Sequence, residues 1–69
     1  MSANNYLLIK ENKEHPKYEV WHGDADCGID FSEDRPLDTY DTLEEAVKFA
    51  NLYENEEVVE YGIHFDLLP

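Results

Sequence analysis

Apolar and polar positions follow several distinct rhythms along this chain, and each rhythm predicts an element. Tyr6-Leu7-Leu8-Ile9 is a short continuous apolar run of strand-forming type. Tyr18-Glu19-Val20-Trp21-His22 alternates apolar and polar, as a half-buried strand does, and places Tyr18 and Trp21 on opposite faces. The charged stretch from Glu11 to Lys17 contains His15-Pro16 and suits a hairpin loop, so the two strands are expected to pair antiparallel.

The helical signal is the firmest. In Asp41-Thr42-Leu43-Glu44-Glu45, Thr42 stands at the N-cap and Glu45 at the third helical position, the spacing of a capping box. Leu43, Ala46, Val47, Ala50 and Tyr53 then recur at helical spacing with Phe49 on the flank, predicting a helix over residues 43–54. The two alanines at the centre of that stripe let the helix sit close to a sheet. Beyond it, Val59, Tyr61, Ile63, Phe65 and Leu67 alternate with Val58, Glu60, Gly62, His64 and Asp66, predicting a last strand whose first set faces the core. Ile29 and Phe31 hint at one further short strand. The order β-β-(β)-α-β specifies an α+β domain, a mostly antiparallel sheet with one helix packed on one face.

Size makes this a single domain, 1–69, with residues 1–4 expected to fray. A chain so short draws only a few kcal/mol, about 3–5, from its one core. At 42% hydrophobic residues it is nevertheless too apolar for a disordered acidic tail. Its single cysteine, Cys27, excludes an internal disulfide framework. Met1-Ser2-Ala3-Asn4-Asn5 lacks the basic and apolar regions of a signal peptide, and no apolar stretch has transmembrane length. A cytoplasmic, reducing location is the expectation.

Charge changes the picture most. The chain carries 17 acidic residues against 5 Lys and Arg, a net charge of −12. Lys10, Lys13 and Lys17 balance Glu11, Glu14 and Glu19, so the entire excess lies beyond position 20, where only Arg35 and Lys48 oppose the acids. Such a surface repels nucleic acid and anionic membrane and attracts cations and basic proteins.

The densest acidic stretch, residues 24–41, holds Asp24, Asp26, Asp30, Glu33, Asp34, Asp38 and Asp41 against Arg35. It starts like a calcium loop, with oxygen ligands at the first, third and seventh positions (Asp24, Asp26 and Asp30). It departs at the sixth, where Ile29 replaces the turn glycine, and at the twelfth, where Arg35 replaces the bidentate Glu. No tight calcium site is expected; weak cation binding is an alternative. His22, Asp24, Asp26 and Cys27 are transition-metal ligand types, but no second Cys or His pair completes a zinc site, and no metal or other cofactor is expected. Nor does the chain suggest an enzyme. Ser2 and Ser32 lack a nucleophile-elbow context, Cys27 lies among carboxylates, surroundings that blunt a thiol's reactivity, and the three glycines form no phosphate-binding cluster.

Taken together with Glu44 and Glu45 on the helix, and with Glu54, Glu56, Glu57 and Glu60 after it, the acidic segment is expected to present carboxylates in place of phosphates. A basic nucleic-acid groove would be occupied by such an array. Trp21 and Tyr40, in or beside this half, are candidate aromatic anchors of the same interface, with core burial the competing role for Trp21.

Asp41-Thr42-Leu43-Glu44-Glu45-Ala46 resembles the helix start of HicB-type antitoxins, whose β-β-β-α-β order is similar; the Pro-Asp-Leu-Pro-Gly-Cys-like turn of that family is replaced here by Asp24-Ala25-Asp26-Cys27-Gly28. In size and charge the chain is also similar to the small acidic inhibitors that phages deploy against CRISPR systems, some of which mimic DNA. Both resemblances imply an inhibitor or antitoxin. The expected function is therefore a non-enzymatic protein that occludes the basic, nucleic-acid-binding surface of a protein partner such as a nuclease, without binding nucleic acid or membrane itself. A small homodimerising accessory domain, charged only for solubility, is the alternative from another class.

Overall fold

The computed structural model describes residues 4–69, so residues 1–3 of the expected frayed end lie outside the described residues. Its elements run β1 (Asn5–Glu11), β2 (Tyr18–Asp24), β3 (Asp38–Tyr40), α1 (Leu43–Glu56) and β4 (Ile63–Asp66). They form one mixed sheet in the order β3-β2-β1-β4, with α1 packed on one face. The β1–β2 and β2–β3 pairs are antiparallel and β1–β4 is parallel, so the α+β fold and its largely antiparallel sheet are as the sequence pattern specifies.

β1 and β2 are joined by the charged turn, which Asn12 closes by donating its backbone N–H to the Lys17 carbonyl at 2.7 Å and its side-chain amide to the Pro16 carbonyl at 3.0 Å. Pairing Leu7 with His22 and Ile9 with Val20 points Leu7, Ile9 and Val20 to the same face. These three, with Ala46 and Ala50 of α1, are fully buried. Alanine on the contacting stripe brings the helix backbone near the sheet, and Leu43, Val47, Phe49, Tyr53, Tyr18 and Tyr40 close the sides of this core. Burying each of the three large side chains contributes about 1.5–3 kcal/mol of transfer free energy before the entropy of ordering the chain is charged against it.

Thr42 caps α1 as expected, its Oγ1 accepting from the Glu45 N–H at 3.2 Å. The reciprocal half differs from a capping box: the Glu45 carboxylate accepts from the Thr42 hydroxyl at 2.9 Å. The helix runs two residues past the expected 54, and Glu57 ends it by donating its N–H to the Tyr53 carbonyl at 2.8 Å.

Two parts of the sequence pattern resolve differently. The third strand is Asp38–Tyr40, within the acidic segment, and not the Ile29–Phe31 region. Around Asp30 the side chain itself satisfies the backbone donors of Ser32 and Glu33, which holds the chain in a turn and out of a ladder. Leu37 then donates to the Val20 carbonyl at 2.7 Å and leads the chain into β3.

The last strand is the second difference. Its alternation spans residues 58–67, yet only Ile63–Asp66 forms the strand. Gly62 takes a left-handed φ of 75°, which breaks the strict period of two just before β4 begins. Ile63 and the earlier Val59 still pack against the core. Phe65, Tyr61 and Leu67 do not: Phe65 is 52% exposed, although its pairing with Ile9 turns it toward the helix side. α1 lies over β1, β2 and β3, and the β4 edge falls outside its cover.

Candidate functional site

The carboxylates of residues 24–38 are fixed by their own loop. Asp24 Oδ1 accepts from the N–H groups of Asp26 (2.8 Å) and Cys27 (3.2 Å), while Gly28, with φ 76°, donates back to the Asp24 carbonyl at 2.6 Å. Asp26 Oδ2 accepts from the Asn4 side-chain amide at 2.9 Å. Asp30 Oδ1 gathers the Ser32 hydroxyl at 2.6 Å and the N–H groups of Ser32 and Glu33 at 3.0 and 3.3 Å. Those donors, the hydroxyl foremost, stabilise the ionised form and hold the Asp30 carboxyl below its ordinary value of 3.8. Asp34 Oδ2 closes the same turn by accepting from the Asp30 N–H at 3.0 Å.

Farther along, Asp38 accepts from its neighbour Thr39 N–H and, through Oδ2, from the Tyr40 hydroxyl at 3.0 Å. Tyr40 is half-buried against Phe49, and desolvation first, then the Asp38 carboxylate, pushes its phenol up to about 12. Glu44 and Glu45 sit in the first turn of α1, where the helix dipole favours negative charge.

All eight acidic candidates, Asp24, Asp26, Asp30, Glu33, Asp34, Asp38, Glu44 and Glu45, are exposed. Among the described residues the one ion pair joins His15 Nδ1 to Asp41 Oδ1 at 3.0 Å, and neither Arg35 nor Lys48 pairs with an acid. The geometry brings some of these groups together: Asp30 with Asp34 in one turn, and Asp24 with Asp34 on one cavity of about 370 Å³. Glu44 and Glu45 belong to the helix layer, apart from that turn.

His22 and Cys27 line the same cavity as Asp24. The His22 ring is engaged with the Asn5 amide at 2.8 Å, and among the described residues no three His, Cys, Asp or Glu side chains are placed to hold a metal ion.

Trp21 is not an exposed anchor. It points away from α1 and is only 4% exposed, because Phe31 from the acidic loop folds over it edge-on, with ring centroids 4.8 Å apart. Lys10 Nζ lies 4.9 Å above the Phe31 ring, and Trp21 Nε1 donates to Glu19 Oε1 at 3.3 Å. The acidic segment is thereby tied to the helix-free face of the sheet by an aromatic pair and a cation–π contact.

That face also holds a feature the acidic pattern does not announce. Tyr6, Leu8, Ala25, Tyr61 and His64 line a mostly apolar hollow of about 390 Å³. The signal for it was the unbroken apolar run Tyr6-Leu7-Leu8-Ile9, since a strand apolar on both faces has something to cover on each. Among the described residues no helix is long and apolar enough to cross a membrane. No family model, curated protein or solved structure matches the chain.

Proposed function

We propose that this chain is a non-enzymatic acidic binding protein that occludes a basic, nucleic-acid-binding surface of a protein partner. The observation that carries the reading is the state of its carboxylates: nine exposed acids across the 24–45 region, of which Asp41 alone is paired, with His15, and none is neutralised by a Lys or Arg among the described residues. Several are already fixed by hydrogen bonds within their own loop, so less entropy is lost when a cationic surface engages them.

The placement of the other acids supports the same view. Glu54 and Glu56 lie in the last turn of α1 and Glu57 caps it, where the helix dipole disfavours anions and no base compensates. Charge so placed weakens the fold, which a cationic partner would offset. The reading covers both an inhibitor of a host nuclease or defence complex and an antitoxin against a basic ribonuclease, since the physics is shared.

The test is association with captured basic proteins over a salt series, followed by competition with duplex DNA and RNA. Affinity should fall as salt rises, nucleic acid should displace the chain, and the triple reversal of Asp24, Asp26 and Asp30 to Lys should weaken binding much more than it weakens the fold. Salt-insensitive binding through an apolar patch, indifferent to those reversals, would overturn the reading.

One observation favours a second reading, self-association. The β4 edge presents Phe65, Leu67 and Leu68 to solvent. Bringing two copies together along it sets −12 against −12, so dimerisation by this route should strengthen with salt, opposite to the first reading. Sedimentation at low and high salt separates the two.

A further inference from the structure

We infer that the hollow on the helix-free face receives an arginine or lysine side chain of the cationic partner; this rests on the proposed acidic reading and gives it a specific contact. The hollow offers three aromatic rings, Tyr6, Tyr61 and His64, above an apolar floor of Leu8 and Ala25. His64 stands edge-on to Tyr6 with centroids 5.4 Å apart, and its Nε2 is tied to the backbone carbonyl of Tyr61 at 3.1 Å, which holds the imidazole against the Tyr6 ring. Gly23 makes the arrangement possible. It pairs with Tyr6 across the strands, and a Cβ there would lie 2.4 Å from the Tyr6 ring.

Charge identifies the occupant. Glu60 and Asp26, each next in sequence to a lining residue (Tyr61 and Ala25), are drawn together by Asn4, whose N–H donates to Glu60 at 2.7 Å and whose amide donates to Asp26 at 2.9 Å. Asp66 follows on the same face of β4 as His64, one pair further along and opposite Lys10. An apolar side chain alone would gain nothing from that rim. A long aliphatic stem ending in a cation fits both parts, with its methylenes on Leu8 and Ala25 and its head over the aromatic faces near the carboxylates. The same face already stacks a cation on an aromatic ring, Lys10 over Phe31.

The experiment compares two peptides of equal charge binding the full chain: hexa-arginine, and a hexamer of 2-amino-3-guanidinopropionic acid, whose guanidinium sits on a single methylene, a stem too short to enter the hollow. Hexa-arginine should bind more tightly and shift the ring resonances of Tyr6, Tyr61 and His64. Tyr61→Ala, at a site already 53% exposed and thus tolerant of truncation, should weaken hexa-arginine roughly three- to tenfold and leave the short-stem peptide unchanged. Gly23→Ala, which displaces the Tyr6 ring, should do the same. The triple reversal of Asp24, Asp26 and Asp30 to Lys should weaken both peptides. Equal binding of the two peptides with no effect of Tyr61→Ala overturns the hollow and leaves the acidic reading standing. A Tyr61→Ala loss without any effect of the reversals supports the hollow and overturns the acidic reading. Failure of both peptides to bind at low salt overturns both.

Discussion

The two faces of the sheet are built to different standards. Under α1, Leu7, Ile9 and Val20 meet Ala46 and Ala50 with no exposure, and the surrounding aromatics seal the edge. On the other face, Trp21 is covered by the Phe31 ring, over which Lys10 Nζ lies, and the neighbouring Tyr6, Leu8, Tyr61 and His64 surround an open hollow. The first face carries the stability of the domain. The second is apolar enough to need cover and lacks a helix to supply it, so a loop does part of the work and a partner's side chain is proposed for the rest. Function is therefore sought where packing is incomplete, and the consequences of substitution should divide the same way.

The largest effect should come from the covered face. Ile9→Ala removes a fully buried side chain and should cost about 2–5 kcal/mol, comparable to all the stability a domain of this size has, so thermal melting should find little folded protein. Phe65→Ala, one strand over and turned the same way, should cost less than about 1 kcal/mol because the helix does not reach it. Equal losses at the two positions would mean that β4 is covered in solution.

Next in size comes the loop-covered face. Trp21→Ala should cost about 3 kcal/mol and release the 29–37 segment, whereas Phe31→Ala forfeits one edge-on aromatic contact worth about 0.5–1.5 kcal/mol. Proteolysis within that segment, compared with global unfolding by denaturant, checks the split. If Phe31→Ala destabilises as much as Trp21→Ala, the loop is an integral layer and the contrast between the faces fails.

How much of this could be seen in the residues follows the same division. Elements fixed by local chemistry were legible: Thr42 and Glu45 announce the start of α1, the alternation from Tyr18 to Trp21 gives the two faces of β2, and Ala46 with Ala50 marks the contact stripe. Long-range closure hid the rest. Asp38-Thr39-Tyr40 has no apolar rhythm and becomes a strand because β2 offers a free edge. The period of two across Gly62 suggests one long strand, but the left-handed backbone there breaks it, and the cover over Trp21 comes from a residue ten positions away whose seat depends on how the loop closes. The exposure of the eight acids was legible from charge, whereas the hollow draws on residues 6, 8, 25, 61 and 64 and leaves no motif.

A pH test sharpens the comparison from the covered side. Tyr40 is packed at the edge of α1 with its hydroxyl on Asp38, and its phenol is raised from 10.0 to about 12. A raised folded value means that the protonated form is favoured in the native state. The stabilisation is therefore fully present below about pH 10 and is lost as pH climbs toward 12. Tyr18, beside Glu11, is also raised by desolvation and by that carboxylate, so tyrosinate absorbance should show a late phase whose last component disappears in Tyr40→Phe, and that variant should lose this part of the alkaline destabilisation. A variant that loses absorbance only near pH 10 and keeps the late phase would show that Tyr40 is as wet as a residue of the open face.

The smallest expected effect concerns whether the covered layer is itself optimised for stability. The first turn of α1 carries Glu44 and Glu45, favourably placed against the positive end of the helix dipole, but the last turn repeats the same charge at Glu56, with Glu57 at the cap and no base nearby. Replacing Glu56 by Lys should stabilise the fold by about 0.3–1 kcal/mol at low ionic strength, through the dipole and through relief of repulsion with its acidic neighbours. Because both contributions are electrostatic and exposed, added salt should erase most of the gain, which denaturant titrations at two salt concentrations would measure. The same substitution should weaken a cationic partner while strengthening the fold if the carboxylates past α1 take part in binding. Stabilisation with no loss of binding would confine the interface to the 24–45 region and the hollow. No stabilisation at all would mean that the acids at this helix end are already screened, and that the charge of the chain costs its covered layer nothing.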